Sequence, residues 1–193
     1  MFEALSLLPS PVIWIGVFLL GLMVGSFLNV VILRLPPRLM QDWRMQCRDL
    51  LEIQLENDQT EPAPGLVKPR SRCPQCGSGI AWYDNIPVLS WLILKSRCRH
   101  CGAKIGIRYP LVELATGVLS VVVVAHFGPT PEAASALGLL WALIAATGID
   151  FDHQLLPDQI TLPLLWAGLL INLNWELFAS LEDAVIGAVA GYL

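Results

Sequence analysis

The sequence predicts an all-α polytopic membrane protein with a cytoplasmic zinc-binding insert. Three observations carry this. Apolar residues make up 55% of the 193-residue chain and charged residues only 15%, against about a quarter charged in a soluble domain, and the apolar residues gather in long runs. All 12 Lys and Arg fall between positions 34 and 108. Two C-x2-C pairs lie inside that same basic stretch. The chain therefore divides into an N-terminal tail with a first span (1–33), a cytoplasmic insert (34–108) and a second membrane region (109–193).

The first apolar run, 12–33, is 22 residues long, enough for a hydrocarbon core that needs about 20. It does not read as a cleavable signal: Glu3 precedes it, no Lys or Arg does, and no A-x-A site follows. Gly21-x3-Gly25 is a helix-packing motif, and Ser26 and Asn29 near the inner end suit hydrogen bonds between spans. Orientation follows from charge. Within 34–108 the twelve basic residues face seven acidic ones, a net of +5. The positive-inside rule places that insert in the cytoplasm and the N-terminus outside. With the basic residues serving as a topological signal and an overall charge of −4, nothing points to nucleic acid as a partner.

The insert has two parts. Residues 38–58 repeat apolar side chains at helical spacing, Leu39, Trp43, Leu50, Leu51 and Leu55, which predicts an amphipathic helix, either lying on the membrane face or packed on the rest of the insert. "TEPAPG" at 60–65 breaks it. Next come "CPQCG" (73–77) and "CRHCG" (98–102), two C-x2-C turns separated by 21 residues and each followed by Gly. Cys73, Cys76, Cys98 and Cys101 would give a closed tetrahedral zinc shell of the structural type. Disulfides are the competing reading, which a reducing cytoplasm disfavours. His100 reads as a bystander and Cys47 as a packing residue. The apolar, aromatic stretch 82–94 would serve as the module's core or dock it to the bilayer.

Further spans are predicted at 111–127, 133–149 and 160–173, the last short and carrying Pro163, with a fifth run from about 184. Glu113 lies near the inner start of the second span, where it either reaches the interface or serves function; His126 at the outer end reads as structural. Between the third and fourth runs stands "IDFDHQLLPD" (149–158), with Asp150, Asp152 and Asp158 and no adjacent Lys or Arg. Pro157 keeps the flanking helices apart. Asp150 is nearest the hydrocarbon, a dry border that raises a carboxyl pKa. That suits a pair of acids sharing a proton, in which one carboxylate activates water and the other, protonated, polarises a peptide carbonyl. The residues make Asp150 the best single candidate and leave its partner open.

Nearly the whole chain resembles the bacterial type IV prepilin peptidases. The resemblance rests on "GSFLNVVILRLP" (25–36), on 71–114 with its four cysteines, and on "IDFDHQLLPD". It implies an aspartic-type leader peptidase of the bacterial inner membrane, periplasmic at its N-terminus. The implied substrates are prepilins and type II secretion pseudopilins. Each would be cut after a Gly behind a short basic leader, and the new N-terminal residue methylated from S-adenosyl-L-methionine. It also implies that Asp150, seven residues before Pro157, is the first catalytic aspartate, that Cys73, Cys76, Cys98 and Cys101 are the family's four cysteines, and that membrane lipid surrounds the spans. No glycine-rich dinucleotide-type loop marks a cofactor site. The family's second catalytic aspartate lies in a Gly-x-Gly-Asp motif, and the 193 residues contain none. The final run, 184–193, covers roughly 15 Å, about half of a hydrocarbon core. The chain is therefore expected to be the N-terminal part of a longer peptidase, able to bind zinc but inactive alone in cleavage. Two other classes compete: a transporter with a proton-relay aspartate, and a non-catalytic zinc-bearing membrane scaffold.

Overall fold

The computed structural model describes residues 10–51 and 63–192. The tail before Ser10, the end of the expected 38–58 helix and the first residues of "TEPAPG" lie outside them. Among the described residues six helices follow in order: α1 (Ser10–Leu50), α2 (Leu89–Ile93), α3 (Arg108–Phe127), α4 (Pro131–His153), α5 (Asp158–Trp175) and α6 (Leu181–Tyr192), with a 3-10 turn at Trp82–Asn85. Among the described residues the only β pairing is two isolated antiparallel bridges, Arg72 with Gly79 and Arg97 with Lys104. α1, α3 and α4 are long and apolar enough to cross a membrane. The fourth predicted run forms α5, of 18 residues, but Asp158, Asn172 and Asn174 dilute its ends and it is not among those three.

α1 departs from expectation. The first span and the amphipathic stretch after it are one continuous helix of 41 residues, running through Pro36 and Pro37. At about 1.5 Å per residue it is roughly 60 Å long, twice the hydrocarbon thickness. Each proline deletes a backbone donor, which usually breaks or kinks a helix. Here the step is strapped from outside. Arg34 Nη1 donates to the carbonyls of Gly65 and Pro69, both at 2.8 Å, and the Ala63 amide donates to Gln41 Oε1 at 2.6 Å. The chain thus runs back along α1 across the proline pair, and Pro36 is fully buried. Beyond the strap Cys47 is exposed, not the packing residue expected, because no described element covers that face of α1.

The core is the junction of α1, α3 and α4. A Cβ on Gly21 would lie 2.7 Å from the Gly117 Cα, and one on Gly25 2.7 Å from the Glu113 Cα. The Gly21-x3-Gly25 motif is therefore the crossing point of α1 and α3, where backbones meet because side chains are absent. Ile32 fills the space over Gly148 of α4, and Ile32, Thr116, Ser120 and Ile149 are fully buried. Ser120 Oγ donates to the Thr116 carbonyl and accepts from Trp141 Nε1 at 3.0 Å, pinning α4 to α3. Between the second and third predicted runs a turn forms at 128–132, with Gly128 at φ 71° closing α3 and Thr130 capping α4 ahead of Pro131. His126 is exposed and stands edge-on to Phe127. α5 and α6 fold back on each other through Asn172, whose Oδ1 accepts from the Phe178 and Ala179 amides.

The crossing generates a test. Gly21→Ala should lower stability by roughly 1–3 kcal/mol through overpacking. Gly16→Ala, with nothing within 4 Å of the new methyl, should be neutral or gain up to about 1 kcal/mol from helix propensity. Denaturation in mixed micelles distinguishes them, and equal midpoints would refute the close approach.

Candidate metal centre and acidic membrane border

Each C-x2-C turn folds the same way. The Gly77 amide donates to the Cys73 carbonyl and the Cys73 amide to the Ser78 carbonyl, both at 2.9 Å; Gly102 and Ala103 repeat this around Cys98 at 2.9 and 2.8 Å. Gly77 and Gly102 hold φ near 70°, the left-handed conformation that only glycine adopts without strain. These tight turns point both thiols of each pair inward, and the four sulfurs lie within 4.8 Å of one another. Cys73 and Cys101 sulfurs are 3.8 Å apart. A disulfide would need about 2.05 Å, whereas the edge of a tetrahedron with metal–sulfur bonds of about 2.3 Å is about 3.8 Å. All five cysteines are unbridged, so the spacing fits a metal ion and not crosslinks. Hydrogen bonds from Ser78 lower the Cys76 thiol to about 6, and the Cys101 and His100 amides lower Cys98. Cys101 receives a lowering bond from Ala103, yet desolvation and the three neighbouring thiols push it up to about 11. Four thiols crowded together resist holding four charges until a cation neutralises them. His100 is exposed and outside the cluster, as expected.

A second knot joins the Cys98–Cys101 hairpin to the stretch between the two turns. Arg99 grips Asp84 with two bonds, Nε to Oδ2 at 2.8 Å and Nη2 to Oδ1 at 2.5 Å, and this holds the Asp84 carboxyl below the usual range. The Trp91 indole donates to the Ile105 carbonyl. The module is fastened to the spans at two points. Glu113, buried in the second turn of α3, accepts from the Val88 amide at 2.7 Å, and Asn29 of α1 donates to the Tyr109 carbonyl at 3.1 Å. Beyond the two readings left open for Glu113, its carboxylate also ties the module to the bundle. Beneath the module a cavity of about 450 Å³ is lined by Ser26, Asn29, Asp84, Trp91 and Glu113, among others.

Asp150 lies within the last turns of α4, one residue past the fully buried Ile149, and is exposed. Ile149 points into the core and Asp150, the next residue round the helix, points out of it, at the end of the run where the sequence puts it nearest the hydrocarbon. Asp152 is not the uncompensated acid its sequence neighbours suggest. Arg108, 44 positions away, donates from Nη1 to its Oδ2 at 2.5 Å and from Nη2 to the Gly148 carbonyl. Asp158 opens α5 behind the buried Pro157, where the helix N-terminus favours negative charge. One signal for the module's fold stands in the sequence unused above: "SRC-x2-CG-x2-I" occurs at 71–80 and again at 96–105, a 25-residue repeat that matches the two equivalent hairpins.

Two outcomes follow. The intact module should carry one equivalent of divalent metal, and Cys98→Ser should lose most of it, which elemental analysis after gel filtration reads directly; retention of a full equivalent would exclude a four-thiolate site. Glu113→Ala should leave the Val88 amide unpaired at a cost of about 1–3 kcal/mol. Amide exchange should then speed up across 86–94 while Gly77 and Gly102 stay protected.

The comparisons with known proteins agree with this architecture. The bacterial peptidase A24 N-terminal domain matches residues 19–127, and the type IV leader peptidase family matches 137–193. The chain is 55% identical over 174 residues to a protein of Stutzerimonas stutzeri, covering 90% of this chain and 59% of the relative. It is 53% identical over 175 residues to one of Pseudomonas aeruginosa (91% and 59%) and 47% identical over 190 residues to one of Burkholderia pseudomallei (98% and 61%). All three are named prepilin leader peptidase/N-methyltransferase. The chain spans about three fifths of the length of these relatives. No solved structure matches it. With the N-terminal domain model alone spanning more than half of its residues, the chain belongs to the bacterial A24 family of type IV leader peptidases.

Proposed function

We propose that the chain supplies the module and the first catalytic acid of an aspartic-type prepilin peptidase. That enzyme removes the basic leader of prepilins and type II pseudopilins and then N-methylates the new N-terminal residue. The observation that carries this is the placing of two chemistries at one end of the bundle. The Arg108–Asp152 pair joins the start of α3 to the end of α4, and the Glu113–Val88 bond hangs the thiol module at the same level. A substrate anchored in the bilayer would meet the acidic turn and the module without changing sides. The relatives' shared name supports both activities.

Asp150 is the acid we assign to cleavage. Paired with a second carboxylate it would take a proton from water, while the partner in its protonated form polarises the scissile carbonyl. Asp158 would attract a basic leader, an effect that salt weakens, whereas the ion pair with Arg108 leaves Asp152 little net charge for that role. Zinc is the metal we assign to Cys73, Cys76, Cys98 and Cys101, since a closed four-thiolate shell suits a structural zinc ion. S-adenosyl-L-methionine would supply the methyl group. The cavity under the module falls in the usual size range for small-ligand sites, with the Glu113 carboxylate available to a cationic sulfonium and Trp91 to an adenine ring. The twelve basic residues of 34–108 favour a cytoplasmic module in the bacterial inner membrane, with the N-terminus periplasmic.

Asp150→Asn in the full reading frame should reduce leader cleavage by roughly 10²–10⁴-fold, while Asp152→Asn and Asp158→Asn retain most of it. The Asp150 variant should still bind S-adenosylhomocysteine and retain its metal, which separates lost chemistry from lost folding. Normal cleavage by Asp150→Asn would overturn the assignment.

A further inference from the structure

The stretch 82–94 is built inside out. Its one buried residue is Ser90, while Trp82 is 80% exposed, Leu92 57% and Ile93 67%. Leu89, Leu92 and Ile93 fall at i, i+3 and i+4 and so share one face of α2. Water would penalise this arrangement, and monomeric proteins rarely expose so contiguous an apolar patch without a use for it.

The backbone of the same stretch is closed on itself. Ser90 Oγ takes the Ile86 amide and donates to the Tyr83 carbonyl, and Glu113 takes the Val88 amide. The Ser90, Leu92, Leu94 and Lys95 amides go to Ile86, Val88, Ser90 and Leu92 carbonyls. Internal satisfaction of backbone groups is what a non-spanning segment needs in order to enter hydrocarbon. The depth is fixed too. Glu113 sits five residues into α3, roughly 7.5 Å along an axis that continues across the bilayer, so its bond to Val88 holds α2 beside the first turns of a membrane helix. Lys95 and Arg97 follow at once, at the height where cationic side chains meet lipid phosphates.

We propose that the 3-10 turn and α2 form a wedge that enters the membrane leaflet beside the start of α3. Trp82, Leu89, Leu92 and Ile93 lie against acyl chains, and Lys95 and Arg97 against anionic headgroups. The buried hydroxyl and the Glu113 carboxylate serve this purpose by removing from lipid the backbone donors that a turn and a one-turn helix would otherwise present. The occupant of the patch is lipid, and the thiol turns themselves stay in water.

The test is photolabelling of the whole protein in nanodiscs containing a phospholipid with a diazirine at the end of one acyl chain, with adducts mapped by peptide mass spectrometry. Expected are adducts in 82–94 severalfold above those in 71–80 and 96–105, at a density comparable to the lipid-facing side of α3. Leu92→Glu with Ile93→Glu should abolish the 82–94 adducts while metal content stays at one equivalent, which shows the module still folded. Labelling of α3 with none in 82–94 would overturn the wedge. So would crosslinks from 82–94 to a second copy of the chain in place of lipid.

Discussion

Two helices approach closely only where both lack bulk, and α1 meets α3 at such a place. Gly21 and Gly25 on one helix face the Gly117 and Glu113 backbones on the other. Lipid tails are as apolar as leucine, so spans gain little from burying leucine against each other, and dispersion over a tight contact has to hold them. The consequence is positional. With the backbones in contact, Asn29 reaches the Tyr109 carbonyl, and Glu113 emerges just past the crossing to hold Val88. The thiol module is thus registered on the membrane bundle through a contact made of missing side chains.

The module itself depends on a different economy. It has almost no apolar interior: among its cysteines only Cys73 is buried, and its large side chains face outward. Small domains of this kind need a staple. Four convergent thiols, the Arg99–Asp84 clamp and two hairpins of identical hydrogen bonding supply the order that a core would otherwise give. Because each hairpin closes within about ten residues, the module's internal fold is local, and what remains non-local is its attachment.

That division explains what could be read from the sequence. The spans and the thiol cluster were legible because run length and C-x2-C spacing are local signals with one physical meaning each. The continuity of α1 was not, since a proline pair normally marks a helix end and the strap that offsets it comes from Arg34 reaching Gly65 and Pro69. The Arg108–Asp152 pair was equally hidden, because 44 residues separate its members. Asp150 could be singled out by position, but its facing could not: Ile149 and Asp150 differ by one residue, and a helix turn sends one inward and the other out. Exposure of 82–94 also ran against its composition, since aromatic and branched residues were as compatible with a core as with a lipid face.

The strap along α1 has one more effect. Gln41 holds the Ala63 amide, so the chain that leads into the thiol turns starts from a point fixed on α1. The height at which the thiol turns stand is therefore set by α1 itself, since Ala63, Gly65 and Pro69 all take their places from Gln41 and Arg34.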